Sequence, residues 1–171
     1  PLIHRRTLAL LLAAGFVAGP ALAQADRFPS RPIKVMIGFT AGGSTDIPFR
    51  VLAENASKIL GQPVIIENKP GAGGVLPAQM MQNAVADGYT LAQVPLPVFR
   101  LPYTQKIDWD PSKDLQYVIG LAGYAFGLVV PADSPIKSMQ DYTASAKANP
   151  GNLNYGTPGP LTTLHRTMEN I

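Results

Sequence analysis

Three segments rich in glycine and hydroxyl-bearing residues contain the groups that could bind a ligand, and each lies between a predicted strand and a predicted helix. At such a junction the first backbone N–H groups of the helix are unpaired, and the helix dipole favours an anion. Two glycines in the first segment also let a ligand approach the backbone closely. The candidate ligand-binding residues of this segment are Phe39, Ala41, Gly42, Gly43, Ser44, Thr45 and Asp46.

A purely structural role is the alternative for the first segment. The two glycines would then serve only a tight turn, and the hydroxyl group of Ser44 or Thr45 would cap the following helix. Residue spacing alone leaves both interpretations open.

The second segment, residues 70–74, has the sequence Pro-Gly-Ala-Gly-Gly and resembles a dinucleotide-binding loop only superficially. A G-x-G-x-x-G fingerprint would need glycine at positions 71, 73 and 76, but the residue at the last of these positions is Leu76. A phosphate-binding G-x-x-x-x-G-K-[ST] sequence does not occur in the chain. A tight turn between strand and helix is therefore the preferred interpretation.

The third segment, residues 155–165, again passes from a predicted strand through a glycine-containing loop into a predicted helix. Threonine hydroxyls add side-chain donors to the amides that the start of a helix exposes. A lone histidine is usually a structural hydrogen-bonding residue, so both a structural and a ligand-binding role stay open for His165. The candidate residues are Thr157, Gly159, Thr162, Thr163 and His165.

Enzymatic chemistry has little support in the residue types present. Beyond a predicted leader the chain has one histidine, no cysteine and no G-x-S-x-G motif, so nucleophile–base pairs are nearly unavailable. Asp108, Asp110 and Asp114 suggest calcium binding, but a loop counted from Asp108 has Lys113 and Ile119 where an EF-hand needs Gly and Glu. The sequence therefore predicts no catalytic residue, no metal site and no cofactor.

Short β-branched runs alternate with helical patterns in the first part of the chain. Strands are predicted over residues 33–39, 64–67 and 90–94, with helices between them over 47–60 and 75–83. A βαβαβ order of this kind predicts an α/β fold with a parallel sheet. The first helix has four apolar residues on one face, namely Leu52, Ala56, Ile59 and Leu60.

A proline-rich stretch interrupts this alternation and indicates a crossing between domains. It contains Pro95, Pro97 and Pro102. Beyond it, apolar and β-branched runs predict the strands of a second α/β unit. These strands are predicted over residues 117–125, 127–130 and 153–155.

Two helices are predicted in the second unit. Ser138 is expected to cap a helix over residues 139–148, with Asp141 completing a variant of the capping box. The last helix has apolar residues at i, i+4 and i+7, and the sequence stops inside that pattern without a C-cap. We therefore expect a truncated chain in which parts of both domains are missing. The apolar residues of the last helix are Leu164, Met168 and Ile171.

The amino terminus has the order of a secretory signal peptide. Basic residues at positions 4–6 precede an apolar run over residues 8–18, and small residues at positions 21 and 23 provide a cleavage site. The apolar run is too short for a membrane-spanning helix, which needs about 20 residues. We therefore expect cleavage after Ala23 and a periplasmic protein.

Removal of this leader would leave a nearly neutral chain. Two of the 14 basic residues, Arg5 and Arg6, lie in the leader, so 12 remain against 11 acidic residues, a net charge of +1. No basic stripe is present for nucleic acid, and the absence of cysteine excludes a disulfide framework. The predicted organisation is a signal peptide over residues 1–23, a first domain over 24–100, and the crossing with a second domain over 101–171.

Several short motifs occur in a fixed order beyond the leader. They are F-P-S-R-P-I at residues 28–33, the G-G-x-x-D core at 42–46, L-G-Q-P-V at 60–64, E-N-K-P-G-A-G-G at 67–74, A-D-G-Y-T-L at 86–91, A-N-P-G at 148–151 and T-T-L-H at 162–165. In this order they resemble the substrate-binding receptors of tripartite tricarboxylate transporters, the Bug-type extracytoplasmic solute-binding proteins. The resemblance covers essentially the whole chain beyond the leader.

The resemblance implies a two-domain periplasmic-binding-protein-like fold, present here as an N-terminal fragment, that closes on its ligand without catalysis. It implies a carboxylate held between the loop of residues 39–46 and the loop of residues 157–165. The expected partners are a small organic acid and the membrane subunits of a transporter, and the full-length protein is expected to be a monomer. The alternative function is a ligand-binding module that reports to a membrane sensor.

The loop of residues 157–165 departs from the family pattern. Pro160 and Leu161 stand where small residues are usual, and Arg166 replaces an apolar residue. Because proline lacks a backbone N–H, fewer amides are free in this loop, which allows for a ligand that is not typical of the family.

Overall fold

The computed structural model describes residues 27–171. The helices and strands of the described part all belong to one compact unit, residues 31–171. The predicted signal peptide of residues 1–23 lies outside the described residues. Within residues 27–171, no helix is long and apolar enough to span a membrane. The predicted domain boundary at residue 100 stays a prediction.

A parallel three-stranded sheet forms in the first part of the chain. Its strands are β1 (Ile33–Ile37), β2 (Val64–Asn68) and β3 (Thr90–Ala92), in the order β2-β1-β3. Strand β1 pairs in parallel with both neighbours, and Ile33 lies opposite Val64. Four of its five residues are buried, as expected for a central strand covered on both faces. The predicted parallel sheet is confirmed.

Helix α1 (Asp46–Leu60) joins β1 to β2 and ends at Gly61, which is left-handed with φ of 70°. Ala53 is the buried apolar residue of this helix. Leu52 and Ile59, which lie on the predicted apolar face, are 45% and 85% exposed. The helix therefore packs through a small residue, and its larger apolar side chains are uncovered.

Helix α2 (Leu76–Met80) is shorter than predicted. It has Pro77 in its first turn, where a missing N–H has no cost. A 3₁₀ turn (Met81–Asn83) follows directly, so the single helix predicted over residues 75–83 is two short elements. A tighter 3₁₀ turn is a common way for a helix to end.

The main core of the described residues lies between α2 and the segment after β3. That segment contains a 3₁₀ helix (Leu96–Arg100) and helix α3 (Leu101–Thr104). The predicted crossing is therefore partly helical and is anchored in this core. The buried core residues are Val75, Ala78, Val98 and Leu101, and Val94, Ile107, Trp109 and Leu115 pack against them.

Two helices in the last part of the chain begin at hydroxyl caps. Helix α4 (Met139–Ala148) begins after Ser138, whose Oγ accepts a hydrogen bond from the Asp141 amide at 3.1 Å. This confirms the predicted helix and its cap. Helix α5 (Thr163–Met168) has only six residues and begins after Thr162.

The strands predicted over residues 117–125, 127–130 and 153–155 are wrong, because the structure has no strand there. These residues have suitable apolar side chains, but a strand also needs a partner for its backbone hydrogen bonds. No neighbouring strand within residues 27–171 supplies that partner. Val118 and Val129 consequently stay 76% and 88% exposed.

Candidate ligand-binding site

The first loop, residues 39–45, connects β1 to α1 and is anchored by a buried carboxylate. Asp46, the first residue of α1, is 1% exposed. Its Oδ2 accepts hydrogen bonds from Arg50 Nε and from the Gly42 amide, both at 2.8 Å, and its Oδ1 accepts one from Asn68 Nδ2 at 2.8 Å. The hydrogen bond from Arg50, followed by those from Gly42 and Asn68, holds the pKa of Asp46 well below its usual range.

Asn68, the last residue of β2, ties the first loop to the sheet. Its Nδ2 also donates to the Phe39 carbonyl at 3.0 Å, and its Oδ1 accepts from Arg50 Nη2 at 3.0 Å. We call Asp46, Arg50 and Asn68 the Asp46 network. Because both oxygens of Asp46 are occupied and its charge repels an anion, we infer that Asp46 shapes the first loop. Direct contact between Asp46 and a ligand stays a prediction.

The amides of Ala41, Ser44 and Thr45 take no part in the hydrogen bonds found within residues 27–171, and neither do those of Phe39 and Thr40 at the start of the loop. The Gly42 amide, in contrast, donates to Asp46. Ala41 and Ser44 are exposed. These amides lie at the N-terminus of a 15-residue helix, where the helix dipole places partial positive charge. The first loop therefore offers uncommitted donors to an anion.

Thr45 is buried but does not cap α1 with its hydroxyl group. The N-terminus of α1 has no side-chain cap, and Thr45 Oγ1 instead lies 2.8 Å from the hydroxyl oxygen of Tyr124. The alternative prediction, in which Ser44 or Thr45 caps the helix, is therefore wrong. A hydroxyl cap at Thr45 would accept from residue 47 or 48, but the Ile47 amide already donates to the Gly43 carbonyl at 3.2 Å and Pro48 has no N–H.

The second loop, residues 70–74, folds as a left-handed turn. The angle φ is 130° at Gly71, 47° at Ala72, 67° at Gly73 and 88° at Gly74. The Gly74 amide donates to the Gly71 carbonyl at 2.8 Å. Positive φ angles favour glycine, and Ala72 is the non-glycine residue that adopts one in this turn. The predicted tight turn is confirmed.

Two glycines bring the first and second loops into contact. A Cβ atom added at Gly38 would overlap the carbonyl group of Gly74, and one added at Gly74 would lie 2.7 Å from Cζ of Phe39. Neither position has room for a side chain. The close approach of the two loops therefore depends on glycine at both positions.

The third loop, residues 157–162, is held by its own side chains. Thr162 is 7% exposed, and its Oγ1 donates to the Gly159 carbonyl at 2.6 Å and accepts from the His165 amide at 3.3 Å. Thr157 Oγ1 lies 3.3 Å from His165 Nδ1, and the other imidazole nitrogen lies 3.0 Å from a carboxylate one helical turn later. These hydroxyls and the imidazole are therefore engaged within the loop and α5.

Arg100 contacts the third loop and its helix from a distant part of the chain. Its Nη2 donates to Thr163 Oγ1 at 3.1 Å, and its Nη1 donates to the Leu161 carbonyl at 3.4 Å. Sequence reasoning missed this residue because it precedes Thr163 by 63 positions. No local pattern connects the two residues.

All three loops line one cavity of about 480 Å³. The lining consists of residues 38–40, 70–74 and 158–161, and it contains no charged side chain. Of the predicted site residues, Phe39 and Gly159 line the cavity, whereas Ala41 to Asp46 and the threonines and histidine of the third segment do not. No group of His, Asp and Glu within residues 27–171 could hold a metal ion.

The second loop is the part of this cavity that sequence reasoning assigned only to a turn. The signal that could have found it is its run of small residues between a strand and a helix, which is the same arrangement as in the first loop. Small residues let two backbones approach each other and leave room for a ligand. The position of a loop after a parallel strand therefore predicted the cavity lining better than the presence of a complete nucleotide-binding fingerprint.

The family model for the tripartite tricarboxylate transporter family receptor matches residues 48–171. The chain belongs to this family. This confirms the resemblance found in the sequence motifs. A UPF0065 protein from the gbd 5' region of Cupriavidus necator is 74% identical over 170 residues, which cover 99% of this chain and 52% of that protein. The chain spans about half the length of the curated relatives it matches.

Solved structures of other proteins confirm the periplasmic-binding-protein-like fold class for this family member. A structure described as a periplasmic transporter is 36% identical with a TM-score of 0.75, over 84% of this chain and 49% of that one. An R. palustris protein determined with adipate is 30% identical with a TM-score of 0.67, over 76% of this chain and 44% of that one. The likeness therefore extends over about half of each neighbour.

Proposed function

We propose that this family member is a periplasmic solute-binding receptor that captures a small carboxylate and delivers it to the membrane subunits of a transporter, without catalysing a reaction. The observation that carries the proposal is the convergence of three loops on an uncharged cavity, one of them bearing free amides in the residues just before α1. Membership of the receptor family and likeness to a periplasmic transporter support it.

Backbone amides can bind a carboxylate without an arginine. A hydrogen bond to a charged group contributes roughly 1.5–3 kcal/mol, so three or four of them approach the roughly 8 kcal/mol of a micromolar complex before the cost of association. The first loop supplies such donors at Ala41, Ser44 and Thr45. The third loop supplies fewer, because Pro158 and Pro160 lack an N–H.

The cavity favours an apolar chain attached to the carboxylate. Its walls include the rings of Phe39, Pro158 and Pro160 and the side chain of Leu161. Such walls suit methylene groups, and they provide no cation for a second charge inside the cavity. The R. palustris relative was determined with adipate, two carboxylates joined by a short methylene chain. We therefore propose a short aliphatic carboxylate as the ligand class of this protein.

Calorimetric titration of the protein purified from its host tests this function. We expect adipate to bind with a Kd within about tenfold of 1 μM. Hexanoate, with one carboxylate and the same chain length, should bind at least as tightly, because the cavity has no cation for a second carboxylate, and the uncharged 1,6-hexanediol should not bind. Equal affinity for the diol and adipate would contradict carboxylate capture. Mass spectrometry shows whether the bound acid is chemically converted. Such a conversion would contradict a receptor without catalysis.

A further inference from the structure

Arg100 lies on a rigid base in the main core. It is the last residue of the 3₁₀ helix Leu96–Arg100, and its neighbours Val98 and Leu101 are both 0% exposed. The backbone on both sides of Arg100 is therefore packed. The core therefore fixes the backbone of Arg100, and the hydrogen bonds to Leu161 and Thr163 orient its guanidinium group.

The third loop is confined between Arg100 and the second loop. On one side, Arg100 donates to the Leu161 carbonyl and to Thr163 Oγ1. On the other side, a Cβ atom added at Gly73 would lie only 3.1 Å from Cβ of Leu161. Leu161 is thus contacted from both sides, and it also lines the cavity. Movement of this wall away from Arg100 breaks the hydrogen bond to the Leu161 carbonyl.

Within residues 27–171, the other side-chain hydrogen bonds of the third loop and α5 are formed among residues 155–171 themselves. Arg100 is the residue outside that range whose side chain hydrogen-bonds to this region. Its planar guanidinium group holds two donors in a fixed fork, which here meets one carbonyl and one hydroxyl. An ammonium group is a single point charge and does not reproduce that fork. Arg100 itself does not line the cavity.

We propose that Arg100 is a positioning residue that sets how firmly the third loop closes the cavity. This inference rests on the proposed function. A receptor that encloses its ligand must move a wall of the cavity to admit it, and movement of the third loop breaks both Arg100 hydrogen bonds. Arg100 therefore favours the closed arrangement and slows ligand release without contacting the ligand.

The variant Arg100→Met tests this role, because Met keeps an unbranched stem for packing and removes both donors. Arg166→Met is the matched control. Arg166 is exposed on α5, and its side chain makes no hydrogen bond or ion pair within residues 27–171. We expect Arg100→Met to bind adipate about tenfold more weakly, mainly through faster dissociation in stopped-flow measurements. Arg166→Met should bind as the wild type does, and Arg100→Lys should lie between.

A second readout needs no ligand. Small-angle X-ray scattering of the unliganded proteins should give a larger radius of gyration for Arg100→Met than for the wild type and Arg166→Met. Unchanged scattering together with an unchanged dissociation rate would overturn the positioning role. If Arg100→Met lowers the melting temperature, Arg100→Lys repeats both measurements with the charge retained. Failure of the wild type to bind adipate would count against the proposed function, whereas the scattering comparison would still decide the role of Arg100.

Discussion

The free amides of the first loop depend on how single residues occupy its other polar groups. The Asp46 carboxylate takes the Gly42 amide, and Asn68 takes the Phe39 carbonyl. This leaves the amides of Ala41 and Ser44 without a partner in the described part of the chain. A buried carboxylate is therefore compatible with the anion binding that we propose for this loop, because its charge is balanced by Arg50 and its oxygens are directed to the protein itself.

Ser44 allows the amide and the hydroxyl group to be tested separately. Ser44→Pro removes the backbone N–H, so we expect adipate to bind at least tenfold more weakly, a loss of about 1.4 kcal/mol. Ser44→Ala removes only the hydroxyl group and is the matched control, for which we expect little change. Calorimetry gives both affinities, and melting temperatures show whether the loop is intact. Equal affinities in the two variants would show that the carboxylate does not bind to the Ser44 amide.

The charge of Asp46 should make stability depend on pH in a defined direction. The pKa of Asp46 in the folded protein lies below that of the unfolded chain, so its ionised form stabilises the fold above about pH 4, and this stabilisation is lost as the pH falls below that value. In Asp46→Asn an amide nitrogen must face one of three donors, which destabilises the fold at neutral pH. We expect the difference in melting temperature between wild type and variant to shrink as the pH is lowered from about 7 to about 3.

The exposed Asp133 provides the control for this pH dependence, because its side chain makes no hydrogen bond or ion pair within residues 27–171. Asp133→Asn should follow the wild-type curve of melting temperature against pH. A difference between wild type and Asp46→Asn that stays constant over the same pH range would argue against the ionised Asp46 network.

At the scale of elements, the sequence predicted the features that depend on neighbouring residues, but not those that depend on residues far apart in the chain. The Ser138 cap was predicted because its donor lies three residues away, and β1 was predicted because its apolar run is continuous. The strands expected over residues 117–130 failed because a strand depends on a partner that its own sequence does not specify. The contact between Thr45 and Tyr124 spans 79 positions and leaves no periodic signal. The sequence correctly predicted all three loops, but it did not predict the cavity that they form together.

Packing between the first and second loops should be sensitive to one methyl group. In Gly38→Ala the new Cβ overlaps the backbone of Gly74, which cannot yield as a flexible side chain would. Overpacking of this kind costs about 1–3 kcal/mol, and we expect chemical denaturation to show a loss of that size. The matched control is Gly120→Ala, because a Cβ atom there meets nothing within 4 Å and φ is not positive. A similar loss in both variants would show that the effect does not come from the contact between the loops.

At the scale of the whole molecule, residues 27–171 expose more apolar surface than a self-sufficient domain usually does. Ile59 on α1 is 85% exposed, and Val118, Ile119 and Val129 are each more than 70% exposed. The outer edges of β2 and β3 have no neighbouring strand within residues 27–171. Unpaired edges and uncovered apolar faces promote association. These features agree with the span of the chain, which is about half that of its curated relatives.

We therefore predict that residues 24–171, produced alone, melt over a broad temperature range and aggregate at micromolar concentration. Apolar faces that another part of a receptor would cover instead associate with each other. Calorimetry and size-exclusion chromatography measure both properties. Supplying the unmatched half of the Cupriavidus necator relative as a separate polypeptide should sharpen the transition and reduce aggregation, because that protein is 74% identical over the shared half. A sharp cooperative transition of the isolated chain as a monomer would show that the exposed faces need no cover, and the apolar surfaces of α1 and residues 117–130 would then require another explanation.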